Sequence, residues 1–235
     1  MNLSQLETAV ANEFGLSVSS EKTVIDSAIN RAVQRVLEDT HCYVQRTDFS
    51  DFDGTHDDWD MSSSGMLEIV ELYLTSVDEV RYALQRVSVP EIIEQRRLGL
   101  PTGTPASIYA VTGMNLLMFW PTPSATDVLS VYHVPLPTAL ASGTDDPSST
   151  SPTNFGGVPE VLHEAIFLYA CSTLASYDDD QTSAQGQRYR DWYDKEITRY
   201  QKILRKRGGS RNARARVNEK RTRRPFHRND VYPPQ

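Results

Sequence analysis

Between Pro159 and Lys206 the chain carries two helical patterns in succession. Val161-Leu162-His163-Glu164-Ala165-Ile166-Phe167-Leu168-Tyr169-Ala170-Cys171 is apolar on nearly every side, and no formal charge occurs from Ala165 to Ser176. A helix of that composition has to be buried. The second pattern places Tyr189, Trp192, Tyr193, Ile197, Tyr200, Ile203 and Leu204 at three-and-four spacing, which predicts a helix with one apolar face. Asp178-Asp179-Asp180-Gln181-Thr182 lies between them, so the two helices are expected to run antiparallel, with the aspartates as a solvated connector. Past Lys206 the periodicity stops. Arg205-Lys206-Arg207-Gly208-Gly209 opens a segment with no core of its own, and the pattern divides the chain into a body, 1–206, and an extended arm, 207–235.

Charge divides at nearly the same place. The net charge of −7 over 235 residues conceals twelve Lys and Arg against two acids from Lys202 onward, a charge of +10. Positions 1–201 keep 12 basic and 29 acidic residues, a charge of −17. An acidic body repels nucleic acid at long range, whereas an Arg-rich arm is drawn to phosphates or to an acidic protein surface. Two cysteines, Cys42 and Cys171, are too few for a disulfide framework, and Cys171 reads as a small core residue. No charged-then-apolar leader and no apolar run of membrane-spanning length occurs, so a soluble protein made in a cytoplasm is expected, with no membrane partner.

Two helices are expected at the N-terminus. Ser4-Gln5-Leu6-Glu7 has capping-box spacing, so the first should run from there to about Phe14, stopped by Gly15. A second should start at Thr23-Val24-Ile25-Asp26, with Ile25, Ile29, Ala32, Val33 and Val36 forming a stripe opposite Lys22, Arg31, Arg35 and Glu38. The β-rich middle, about 45–134, then offers strands at Met66–Leu74, Val77–Leu84, Ser107–Val111, Leu116–Trp120 and Val128–Val134. A short helix capped at Ser88 with Pro90 should interrupt them. Residues 141–157, rich in Ser, Thr, Pro, Gly and Asp, read as a loop or flexible linker. The expected architecture is α+β: a helical bundle with a small antiparallel β-sheet, formed from about 45–75 and 107–134, packed at one end.

Catalytic and metal signatures are missing from the sequence. His41, His56, His133, His163 and His227 form no ligand spacing, and His163 and Glu164 are neighbours on a helix, pointing about 100° apart. Asp48, Asp51, Asp53, Asp57, Asp58 and Asp60 resemble a calcium loop in composition only: counted from Asp51, Gly54 falls at position four and Ser62 at twelve. No nucleophile elbow and no phosphate-binding loop is present. The expectation is a non-enzyme with no cofactor and no metal. The arm has two functional readings. Arg211, Arg214, Arg216, Lys220, Arg221, Arg223 and Arg224 suit phosphates. They equally suit carboxylates on a protein, with Phe226 and Tyr232, each beside proline, as apolar anchors. A merely solubilising tail is the plain alternative.

The order of motifs resembles the head-to-tail adaptor, or connector, proteins of tailed bacteriophages. The resemblance covers roughly Leu3 to Leu204 and rests on patterns of hydrophobics and prolines. They are Gly103-Thr104-Pro105-Ala106-Ser107-Ile108-Tyr109, Trp120-Pro121 with Pro123, Val131-Tyr132 leading to Pro135 and Pro137, and Val158-Pro159-Glu160-Val161-Leu162-His163-Glu164-Ala165. It implies a structural virion protein of the head–tail interface, forming a homo-oligomeric ring matched to the portal and so twelve-fold. The ring would join the portal protein to the tail or next neck protein and extend the channel through which packaged DNA passes. It also implies that the C-terminal extension docks on the portal, giving Arg207, Arg211, Arg214, Arg216, Arg221, Arg223, Arg224, Phe226 and Tyr232 as portal-binding residues. Two rivals stand beside it: a DNA-binding protein that holds packaged DNA with its arm, and a neck peptidoglycan hydrolase using Glu160, Glu164 or Asp178 to Asp180.

Overall fold

A computed structural model describes residues 1–61, 65–76, 78–99, 106–113, 116–151, 153–175 and 184–204. Helix α1 (Leu3–Phe14) ends at Gly15, whose φ of 65° is the left-handed conformation that closes a helix. Its cap lies two residues before the expected one: Asn2 accepts from the Gln5 amide, and the Gln5 side chain answers the Asn2 amide. The capping-box chemistry is as expected, but an amide pair performs it in place of Ser4 and Glu7. Glu7 faces inward, 4% exposed, and pairs with Lys22. Helix α2 (Val18–Thr40) starts after an N-cap at Ser17, its first residue five positions ahead of the expected Thr23. Ser19, Ser20 and Glu21 lie in that extra turn, polar residues that leave no periodic signal. Ile25, Ile29, Ala32, Val33 and Val36 are buried as the stripe predicts.

The middle of the chain forms β1 (Gln45–Phe49), β2 (Asp58–Asp60), β3 (Met66–Thr75), β4 (Arg81–Ala83) and β5 (Gln85–Arg86). Helix α3 (Val89–Leu98) follows, then β6 (Ile108–Thr112), β7 (Leu116–Trp120) and β8 (Val128–Pro135). The strands make two four-stranded sheets, β1-β8-β3-β4 and β2-β7-β6-β5, where one was expected. The β6–β7 hairpin pairs as anticipated, Ile108 with Trp120 and Thr112 with Leu116. The chain then crosses to the other sheet, where β8 lies between β1 and β3, Leu129 opposite both Phe49 and Leu74. Burial explains the division. Leu72, Leu74, Leu129 and Val131 from one sheet close on Tyr109, Leu117 and Phe119 from the other, and a single layer would leave one of these sets wet. The parallel β5–β6 pair follows from α3, since parallel neighbours need a crossover.

Residues 136–151 and 153–159 lead back to the helices as a bonded loop, the first of the two forms expected for 141–157. Asn30 on α2 donates to the Leu140 carbonyl at 3.1 Å and accepts from the Leu140 amide at 2.7 Å. The Asp145 carboxylate accepts from the amides of Ala141 and Ser142, and its carbonyl accepts from Leu3. Gly156 passes so close to Pro147 that a Cβ would meet its carbonyl oxygen at 2.2 Å. A 3-10 turn (Glu160–Leu162) then opens α4 (His163–Ala175), and α5 occupies residues 184–204. Leu3, Leu6 and Val10 of α1, the α2 stripe, Leu162, Ile166 and Ala170, and Tyr189, Tyr193 and Ile197 of α5 form one helical core. Val134 and the half-buried Leu67 extend that core onto the first sheet. The fold is therefore α+β, a helical bundle on one end of a small β-sandwich. The expected connector Asp178–Asp180 and the expected arm lie outside the described residues.

Candidate interaction surface

All nine residues expected to carry binding, Arg207, Arg211, Arg214, Arg216, Arg221, Arg223, Arg224, Phe226 and Tyr232, lie outside the described residues. The described surface nearest to them in the chain is α5. Its inner side is fixed to the bundle by tyrosines. Tyr193 is 2% exposed, and its hydroxyl donates to Asp39 Oδ2 at 2.7 Å, an oxygen that also accepts from Arg35 Nε at 3.0 Å. Gln201 Nε2 donates to the Asp39 carbonyl at 2.9 Å, so one residue at the end of α2 holds α5 at two levels. Tyr189 donates to Glu13 and packs on Phe14 with ring centroids 6.1 Å apart. The Tyr169 and Tyr193 rings meet edge-on at 5.1 Å, with Arg190 over Tyr169. Burial, reinforced by hydrogen bonding to carboxylates, raises both hydroxyl pKa values, that of Tyr189 to about 12 and that of Tyr193 further still.

The outer side of α5 departs from the sequence expectation. Trp192 and Ile203, both assigned above to the apolar face, are 49% and 37% exposed. Neighbouring helix positions differ by about 100°, which turns Trp192 away from the direction that buries Tyr193. Arg188, Lys195, Arg199 and Lys202 are exposed with them, and a groove lined by Asp194, Lys195, Thr198, Arg199, Lys202 and Ile203 runs along this side. The basic surface thus begins on the folded helix, at Arg188, nineteen positions before the arm opens at Arg207. A signal was available at Arg188, Lys195, Arg199 and Lys202, which recur at helical spacing, but the denser cluster further on obscured it.

The other groups of chemical interest have structural tasks in the described residues. His163 is buried; Nδ1 accepts from the Met1 amine at 2.7 Å, and Nε2 lies 3.3 Å from the Val158 carbonyl. Burial first, then the adjacent amine, lowers its pKa. Glu164 projects to solvent, so the two do not meet as an acid–base pair. Asp53 accepts from the amides of Thr55 and His56 at 2.8 Å and from the His56 ring, bonds that hold its carboxyl well below the usual range. Among the described residues no three His, Cys, Asp or Glu side chains are gathered as a metal site. Cys42 and Cys171 are both free, and burial pushes the Cys171 thiol up to about 12. No described helix is long and apolar enough to cross a membrane.

Comparison with curated proteins gives no match. A family model described as SU10 adaptor protein matches residues 1–220, which takes in the whole described body and the first part of the arm and stops short of Phe226 and Tyr232. The match agrees with the head-to-tail adaptor resemblance drawn from the proline and hydrophobic pattern. The chain belongs to the SU10 adaptor protein family, a family of structural adaptor proteins of bacteriophages.

Proposed function

We propose that this adaptor assembles as a ring between the capsid portal and the tail, prolongs the DNA channel, and fastens to the portal through its C-terminal arm, residues 207–235. The family match over 1–220 is the observation that carries the reading. The charge of the arm, nine Lys and Arg against two acids, suits an acidic partner surface, and Phe226 and Tyr232 favour a protein partner, which offers apolar pockets that a run of phosphates does not. The acidic body suits a conduit, because like charge keeps DNA from sticking to the wall. Many weak arm contacts act together in a ring, so each arm need not bind tightly alone.

The test is truncation after Lys206. The full chain should co-sediment with purified portal protein and the truncated chain should not, while circular dichroism of the two bodies stays the same. A truncated chain that binds the portal as well as the full chain, but has lost retention of duplex DNA, would instead support the reading of the arm as a DNA-binding element.

A further inference from the structure

Two sides of the helical bundle carry complementary surfaces. On α5 the inward direction is fixed by Tyr193. At about 100° per residue, Arg188, Lys195, Arg199 and Lys202 lie roughly 180–240° around the helix from it, with Trp192 and Ile203 at about 260–280°. Asp191 and Asp194 flank this ridge on its other side. On α4 the direction toward α5 is fixed by Tyr169, which meets Tyr193 and Arg190. Glu164 stands five positions earlier, about 140° around α4 from that contact. Beside it, in the 3-10 turn, are Glu160 and Val161, the latter 66% exposed. The α4 edge is therefore acidic with an apolar centre, the α5 ridge is basic with an apolar flank, and they point in different directions from one bundle. Among the described residues Glu164, Arg188, Lys195 and Lys202 have no ion-pair partner, and Arg199 has only Glu196, three residues away, at 3.4 Å.

We infer that these two surfaces are the two halves of the contact between neighbouring copies: the α5 ridge of one copy seats on the α4 edge of the next, Lys195 and Arg199 against Glu160 and Glu164, and Val161 against the apolar flank of the ridge. A contact between two different faces of one chain is heterologous, the kind that repeats around a ring and cannot close as a two-fold dimer. Opposite charges on the two faces also fix its direction, because ridge against ridge and edge against edge are repelled. The inference rests on the ring reading above and names the surfaces that would build it.

Charge reversal tests it with the full chain, alone and on purified portal protein, by native mass spectrometry and light scattering. An edge variant, Glu160→Lys with Glu164→Lys, and a ridge variant, Lys195→Glu with Arg199→Glu, should each lose assembly by roughly tenfold or more. Mixed one to one they should assemble again, in alternation, because each then meets an opposite charge on both sides. That rescue also shows that both variants are folded. Wild-type assembly by either variant alone, or failure of the mixture to assemble while both variants keep the wild-type circular dichroism, overturns the assignment of surfaces and leaves the ring reading intact. Ridge variants that form rings but lose DNA retention overturn it in favour of nucleic acid on α5. Wild-type protein that forms no ring either alone or on the portal sinks the ring reading itself, and this inference with it.

Discussion

Tyr193→Phe isolates the bond that holds α5 against the bundle. Phenylalanine keeps the ring and its edge-on contact with Tyr169 and removes only the hydroxyl that donates to Asp39 at 2.7 Å. A hydrogen bond to a charged acceptor contributes about 1.5–3 kcal/mol net. Asp39 Oδ2 keeps its 3.0 Å bond from Arg35 after the change, so no carboxylate is left unpaired and the low part of that range applies. The expected loss is about 2 kcal/mol, a fall of roughly 4–8 °C in Tm for a chain of this size. The pH dependence gives an independent check. The folded pKa of Tyr193 is raised above its unfolded value, so its contribution is complete below about pH 10 and is lost as pH climbs toward the folded value. Urea unfolding at pH 7.5 and at pH 10.5 should therefore show wild type losing stability between the two, and Tyr193→Phe losing less of it. A variant within about 0.5 kcal/mol of wild type at pH 7.5, with the same alkaline loss, would refute the reasoning.

Three further substitutions probe other joints. Gly156→Ala places a methyl 2.2 Å from the Pro147 carbonyl oxygen, and backbone has to move; stability from thermal melting should fall by about 1–3 kcal/mol, and an unchanged melt would mean that the loop gives way freely. Ile92→Ala, at a fully buried site, should cost about 2–5 kcal/mol, against under about 1 kcal/mol for its neighbour Ile93→Ala, which is 54% exposed; equal losses would mean α3 packs on another face. Asn30→Ala removes both bonds to Leu140 and should lower stability by about 2–4 kcal/mol, with hydrogen exchange accelerated first at Leu140 and Ala141. Cys171 should resist maleimide at pH 7.5 until the chain is unfolded, because its thiol is buried and its pKa is near 12; prompt labelling would place it at an opening.

The helices were the most readable part of the chain because their signal is local. The uncharged run of α4, the α2 stripe and the Gly15 stop each follow from residues within about three turns of one another. The split into two sheets was not readable from alternation alone. Nothing within Leu116–Trp120 or Val128–Pro135 says that one strand faces the other across a sandwich, because that depends on Leu129 and Phe119 sharing a core at a distance. The cap position differs by a small step for a chemical reason: Asn2 and Gln5 supply the same two bonds that Ser4 and Glu7 promised, and Glu7 is buried and pairs with Lys22. Residues 141–157 read as a loop or flexible linker because Ser, Asp and Thr are turn formers. The same side chains bond to amides within 141–148, and the carbonyls of Gly143 and Asp145 accept from Ser4 and Leu3, so this part of the segment is tied to α1. The surface of α5 was half legible: periodicity located the helix, but it could not tell Tyr193, which enters the core, from Trp192, which leaves it.

Limited trypsin digestion of the free adaptor beside the portal-bound adaptor is the shortest route to the main proposition. The arginines from Arg207 to Arg228 offer closely spaced cleavage points beyond the described helices. The account predicts rapid loss of that segment in the free protein, and its protection, with the 26.5 kDa chain intact, once portal protein is present. Equal cutting in the two states would contradict docking of the arm.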